Sequence, residues 1–193
     1  MRPFFASNPI AAFLFLVSVA AWVLTELRQA LRRRSEARNR DSGSIQALRL
    51  SVVAGALLAA LLLKVRAAAF PFSPGVDAAA LAVLWAGMGI RWWSFHALGR
   101  YFTIQVMTSA DQPVIASGPY QFLRHPSYLG LLLIIAGLGF TYGNWLSLGA
   151  LVLGVLIGVV NRIRVEEAAL TQTLGSAYTT YAARRKRILP FVW

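Results

Sequence analysis

Cysteine is absent from all 193 residues, which excludes disulfides, a thiolate nucleophile and any sulfur-ligated metal. Histidine is almost as scarce. His96 and His125 are too few for a multi-histidine centre, so no metal site is expected. No phosphate loop or nucleotide fingerprint occurs, and with no nucleophile-elbow serine and no hydrolytic pair of acids an intramembrane protease or lipase is disfavoured. Charged residues make up only 13%, with 7 acids against 19 lysines and arginines. What remains is apolar: 58% of the residues are hydrophobic and the mean hydropathy is +0.59, the balance of an integral membrane protein. The net charge of +12 sits beside apolar runs rather than on a soluble basic face. Membrane lipid with anionic headgroups is therefore the expected partner, and nucleic acid is not.

The apolar runs predict an all-α membrane bundle of five transmembrane helices. The spans read Ile10 to Leu27, Leu48 to Phe70, Ala78 to Leu98, Tyr128 to Tyr142 and Trp145 to Val160. Arg28 and Arg32 to Arg34 follow the first run at once, marking a retained anchor rather than a cleaved leader. Pro71, Pro74 and Gly75 make the turn between the second and third spans. One membrane domain over 1–193 is expected, with three spans in 1–98 and a loop, a helical hairpin and a tail in 99–193.

The hairpin is the informative part. Between His125 and Arg162 there is no charge, and one helix of that length would measure about 50 Å against a hydrocarbon core of about 30 Å. Gly143-Asn144, with Trp145 beside it, is a turn signal. If the chain reverses there, the polar stretches Gly118 to Tyr128 and Asn161 to Glu167 return to one membrane face. Seven basic residues between Arg28 and Arg49, then Arg91, Arg100 and Arg124, then six from Arg162 to Arg187 fall on that face if the amino terminus is outside. The positive-inside rule makes the face cytoplasmic; the expected membrane is a bacterial inner membrane. Helical spacing of Leu170, Leu174, Ala177, Tyr178 and Tyr181 predicts a cytoplasmic C-terminal helix over Glu166 to Tyr181, weak at Gly175, docked on the loop before span four.

Arg162 and Glu166, four apart on a helix, share a face and can pair; Glu167 has a candidate partner in Arg164. His125 precedes Pro126, which biases it away from helical dihedrals and fixes the start of span four, with Ser127 in the first turn. Tyr120 and Tyr128 bracket that histidine. Aromatic faces for a cation, a carboxylate for an amine and a histidine for polar groups suit a cationic ligand with an aromatic ring. His96, beside Trp92, Trp93 and Phe95, reads as structural or, at most, substrate-facing.

At these residues the chain resembles the isoprenylcysteine carboxyl methyltransferase family, and more broadly the membrane methyltransferases that include phospholipid methyltransferases. The likeness runs from Leu98 to Phe191. It consists of Gly118-x-Tyr120, Arg124-His125-Pro126-Ser127-Tyr128-x-Gly130, Arg162-x-x-x-Glu166-Glu167, Gly175-x-x-Tyr178-x-x-Tyr181 and Leu189-Pro190-Phe191. The resemblance implies S-adenosylmethionine at the cytoplasmic side and a lipophilic or lipidated substrate entering from the bilayer. By residue-to-residue carry-over, Gln105, Gln112, Pro113, Val114, Ile115, Tyr120, His125, Pro126, Ser127, Tyr128 and Glu166 would contact the cofactor. Arg162 would be the catalytic residue, holding the substrate carboxylate. One departure stands out: Gln112 and Pro113 replace the histidine that opens a His-x-Leu-Val stretch in the eukaryotic enzymes. The expected reaction is O-methylation of a carboxylate. Methylation of a phospholipid or lipid amine, or a nicotinamide-dependent membrane reductase, are the alternatives.

Overall fold

The computed structural model describes residues 8–31, 38–103, 106–109 and 112–189. Among these residues six α-helices run in chain order: α1 (Pro9–Ala30), α2 (Ser44–Leu62), α3 (Pro74–Leu98), α4 (Pro126–Gly139), α5 (Trp145–Leu174) and α6 (Ser176–Ala183). A short antiparallel pair, β1 (Arg38–Asn39) and β2 (Met107–Thr108), ties the α1–α2 connection to the α3–α4 connection.

Local chemistry sets most helix starts. Asn8 accepts the Ala11 amide at 3.0 Å with Pro9 in the first turn, and Ser73 accepts Val76 with Pro74 behind it. Asp41 accepts the Ser44 and Ile45 amides at the head of α2. Asn144 caps α5 through the Ser147 amide at 3.0 Å. Gly143 takes φ +59°, a left-handed turn that reverses the chain between α4 and α5 at the expected place.

Helices α3 and α4 pack closely, as do α2 and α5; α4 also meets α5 and α1 meets α3, so the order across the bundle is α1-α3-α4-α5-α2. Small residues permit this. A Cβ on Gly130 would lie 2.7 Å from the Gly87 carbonyl oxygen, and one on Gly154 would lie 2.7 Å from the Gly55 Cα. Lipid gives no hydrophobic drive for helix association, so backbone approach of this kind supplies the packing. Leu84 and Ile134 fill the α3–α4 seam, and Val155, Val159 and Ile163 fill the α5 seam. Outward residues such as Phe13, Leu16, Leu57 and Leu61 are exposed and apolar.

Helices α1, α2 and α5 are long and apolar enough to cross a membrane; Pro126–Tyr142 is apolar but shorter. Helix α3 has 25 residues, with Asp77 in its first turn and Arg91 in its body, and falls outside that group. The second helix departs from expectation: it spans Ser44–Leu62, not Leu48 to Phe70. Asn144 Nδ2 donates to the Val65 carbonyl at 3.0 Å and the Leu62 carbonyl at 3.4 Å, terminating α2 there. Phe70 then folds onto the hairpin turn, with its amide on the Gly143 carbonyl and its ring 4.5 Å from that of Trp145. The tail follows the sequence reading more closely. Helix α5 continues to Leu174, Gly175 (φ +55°) breaks it, and α6 carries Tyr178 and Tyr181.

Candidate active site

The start of α2, the end of α3, the start of α4 and the far half of α5 meet at the end of the bundle opposite the Gly143 turn. They enclose a cavity of about 250 Å³. His125 occupies the N-cap position of α4, and Pro126 sets the first turn, so Tyr128 projects toward α5. The tail holds this start in place: the Arg124 and His125 amides donate to the Lys186 and Arg187 carbonyls at 2.8 and 2.9 Å. The Tyr181 hydroxyl donates to the Tyr120 carbonyl at 2.9 Å, which is the expected docking of the tail on the preceding loop.

Charge is arranged in three sets. Arg162, 3% exposed, donates from Nε to the Tyr128 hydroxyl at 2.9 Å, and from Nη1 to Asp41 Oδ2 at 3.1 Å and Ser44 Oγ at 2.9 Å. Tyr128 in turn donates to Glu166 Oε2 at 2.8 Å. Arg162 and Glu166 share a face as the spacing requires, but a tyrosine hydroxyl bridges them. The arginine's charge partner is Asp41. Burial pushes the Asp41 carboxyl up, yet hydrogen bonds from Ser44, Arg162 and the Ile45 amide outweigh it and hold the carboxyl below its ordinary range. Glu167 does not take Arg164, which is exposed. It pairs instead with Arg124 at 2.7 Å, His125 Nε2 at 3.1 Å and Arg187 at 2.9 Å. In the third set Arg91 is bound through Nε and Nη2 by Glu26 of α1, and its Nη1 donates to the Ser127 carbonyl and Oγ at 2.9 and 2.8 Å.

Of the residues picked from sequence, Arg162, Gln112, Pro113, Val114, Ile115, Tyr120, His125, Ser127, Tyr128 and Glu166 line this one cavity. Pro126 is buried and shapes the turn without lining it, and Gln105 lies outside the described residues. His96 is exposed and does not line the cavity.

A model of the isoprenylcysteine carboxyl methyltransferase family matches residues 80–172, the stretch that contributes Arg91, Arg124 to Tyr128, Arg162, Glu166 and Glu167 to this site. Over these residues the chain is similar to the isoprenylcysteine carboxyl methyltransferase family. Protein-S-isoprenylcysteine O-methyltransferase B of Arabidopsis thaliana is 32% identical over 114 residues, 58% of each chain. Protein-S-isoprenylcysteine O-methyltransferase of Saccharomyces cerevisiae is 31% identical over 108 residues, 55% of this chain and 45% of the yeast protein. The uncharacterized protein YpbQ of Bacillus subtilis is 28% identical over 93 residues, 47% of this chain and 54% of its own. The chain thus spans about half the length of the relatives it matches. A solved structure of the eukaryotic intramembrane Ras methyltransferase ICMT superposes with a TM-score of 0.57 at 24% identity, covering 75% of this chain and 52% of that one, so the membrane fold is shared.

Sequence reasoning missed four residues of the site: Asp41, Ser44, Glu26 and Arg91. All but Arg91 lie outside the stretch matched to the isoprenylcysteine carboxyl methyltransferase family. The available signals were an aspartate three residues before a helix-starting serine, and single charges inside apolar helices.

Proposed function

We propose that the protein transfers a methyl group from S-adenosylmethionine to a carboxylate on a lipophilic acceptor, of isoprenylcysteine type, at the cytoplasmic membrane face. The observation that carries this reading is the Arg162–Tyr128–Glu166 chain of hydrogen bonds, set in the wall of a cavity that the loop residues Gln112 to Ile115 complete. The protein is read as one membrane domain with five spans, α1 to α5, and a cytoplasmic tail.

The cavity's donor set suits the cofactor. At about 250 Å³ it approaches the roughly 300 Å³ from which small-molecule pockets begin. Among the described residues, the Tyr178 hydroxyl and Arg124 Nε are buried without a hydrogen-bond partner, and both residues line the cavity, so a polar ligand would satisfy them. Glu166 would accept from the ammonium, Tyr120 and Tyr128 would offer aromatic faces, and the Gln112–Ile115 backbone would meet polar edges. When bound, S-adenosylmethionine supplies a methyl group on a positively charged sulfur.

The chain's own residues do the rest. Arg162 orients the acceptor carboxylate, while Asp41, Ser44 and Tyr128 fix the plane of its guanidinium. Because Nε and Nη1 already hold these acceptors, an arriving carboxylate shares or displaces one of them. Leu131, Leu170 and Leu174 line the cavity and exclude water, which strengthens each charged contact and keeps the reactants in near-attack orientation. A carboxylate is ionised near neutral pH, so no general base is required. Methylation removes the acceptor's charge and with it the attraction to Arg162, which favours release.

The test uses detergent-solubilised protein, methyl-labelled S-adenosylmethionine and an S-prenylated cysteine with a free carboxylate. Alkali-labile label in the lipid phase is expected, because a methyl ester hydrolyses and a methylamine does not. Alkali-stable label would reassign the acceptor as a lipid amine. Reduction driven by a nicotinamide cofactor, with no binding of S-adenosylmethionine, would overturn the reading.

A further inference from the structure

Helix α4 lies between α3 and α5, and an arginine from each neighbour grips one of two consecutive residues in its first turn. Arg91 of α3 donates from Nη1 to the Ser127 carbonyl and Oγ, at 2.9 and 2.8 Å. Arg162 of α5 donates from Nε to the Tyr128 hydroxyl at 2.9 Å. Each arginine is neutralised by an acid from outside residues 80–172: Arg91 by Glu26 of α1 and Arg162 by Asp41 before α2. The Glu26 carboxylate is itself oriented by the Trp22 indole at 3.1 Å.

Stability does not explain the Arg91 side of this clamp. A cation at a helix N-terminus faces the positive end of the helix dipole, so Arg91 is misplaced as a cap for α4. Charges inside apolar helices are costly, and a buried ion pair is often no better for stability than well-packed apolar residues. Arg91 is nevertheless 7% exposed, and both it and Glu26 line the cavity. The start of α4 has no side-chain cap at His125, and Arg91 reaches its first turn at Ser127 from α3.

We propose that Glu26 is a positioning residue for methyl transfer: acting through Arg91 on Ser127, it fixes the first turn of α4 and so the placement of His125 and Tyr128 in the cavity. Helix α1 thereby becomes part of the working site. The inference rests on the methyltransferase reading for its kinetic arm and stands without it for its structural arm.

Two variants test it, Glu26→Leu/Arg91→Met and Arg91→Lys. The first replaces the pair with apolar residues; the second keeps the charge opposite Glu26 but lacks the fork that reaches Ser127 as well. Three quantities are measured: Tm in detergent, ligand-free hydrogen exchange of a peptide covering 124–132, and kcat and KM with the prenylated acceptor. In both variants Tm should stay near wild type, the Tyr128 and Leu129 amides should exchange faster, and kcat should fall at least about tenfold, with a smaller change in KM. Wild-type exchange and turnover in a folded double variant would overturn the proposal. If the double variant fails to fold, Arg91→Lys decides: turnover lost at unchanged Tm supports the proposal, and turnover lost in step with Tm overturns it. A wild-type protein that transfers no methyl group would instead defeat the proposed function, and the exchange measurement would still decide the positioning role.

Discussion

Replacing Asp41 by asparagine isolates the charge that holds Arg162. Asp41 does two jobs: Oδ1 accepts the Ser44 and Ile45 amides at the head of α2, while Oδ2 meets Arg162 Nη1 at 3.1 Å. Asparagine keeps the cap, since it serves there as well as aspartate, and removes the charge. The two side chains are 3% and 4% exposed, so the pair is buried, and breaking such a pair from one side costs about 3–5 kcal/mol. Arg162 retains Ser44 Oγ and the Tyr128 hydroxyl, which places the expected loss near the lower figure, about 3 kcal/mol, or roughly 150-fold in the folding equilibrium. Asp41→Ala should cost about 1 kcal/mol more, because the cap goes too. Unfolding in mixed micelles titrated with sodium dodecyl sulfate, followed by tryptophan fluorescence, measures both. The pH dependence has a definite sign. The folded carboxyl lies below its ordinary 3.8, so its stabilising contribution is fully present above about 3.8 and is lost as pH falls through the depressed folded value. The gap between wild type and Asp41→Asn should therefore hold from pH 8 to pH 5 and close only in stronger acid. An Asp41→Asn protein within about 0.5 kcal/mol of wild type would refute the reasoning, since surface pairs cost that little and buried ones do not.

The cysteine-free chain allows a topology test with single cysteines. A membrane-impermeant maleimide should label intact cells at Ser73→Cys and spare Ser42→Cys and Ser176→Cys, and label at Ser176→Cys would contradict the hairpin orientation. Gly130→Ala would put a methyl group 2.7 Å from the Gly87 carbonyl oxygen, so α3 and α4 must separate, lowering stability by about 1–3 kcal/mol in the same micelle titration. Arg162→Lys keeps the charge but loses the planar fork; turnover should fall at least about tenfold while affinity for S-adenosylmethionine, measured by calorimetry, changes only a few-fold.

Much of this architecture is legible in the chain because membrane helices must satisfy their own backbone and announce themselves by length and polarity. The hairpin at Gly143-Asn144 follows from a charge-free run too long for one crossing. The gathering of His125, Tyr128, Arg162 and Glu166 follows from that hairpin. What the sequence concealed is tertiary. The end of α2 at Leu62 depends on the Asn144 side chain, 82 residues away in the chain, and no local breaker marks it. The partners of Arg162 and Glu167 were misassigned because helical spacing admits neighbours three and four residues away, whereas the structure satisfies these charges across elements with Asp41, Tyr128, Arg124 and Arg187. Glu26 and Arg91 were visible as charges in apolar helices, but nothing in their spacing tied them to each other.

The proposed function requires that the cavity hold the methyl donor and that Glu166 grip it. Titration calorimetry of S-adenosylmethionine into the wild-type protein and into Glu166→Gln, both in detergent with matched Tm, tests this most directly. Loss of one charge-assisted hydrogen bond should cost on the order of 1.5–3 kcal/mol, so affinity should fall roughly 10- to 150-fold, with a smaller fall for Glu167→Gln. Absence of binding to wild type, or equal affinity for wild type and Glu166→Gln, would contradict the account.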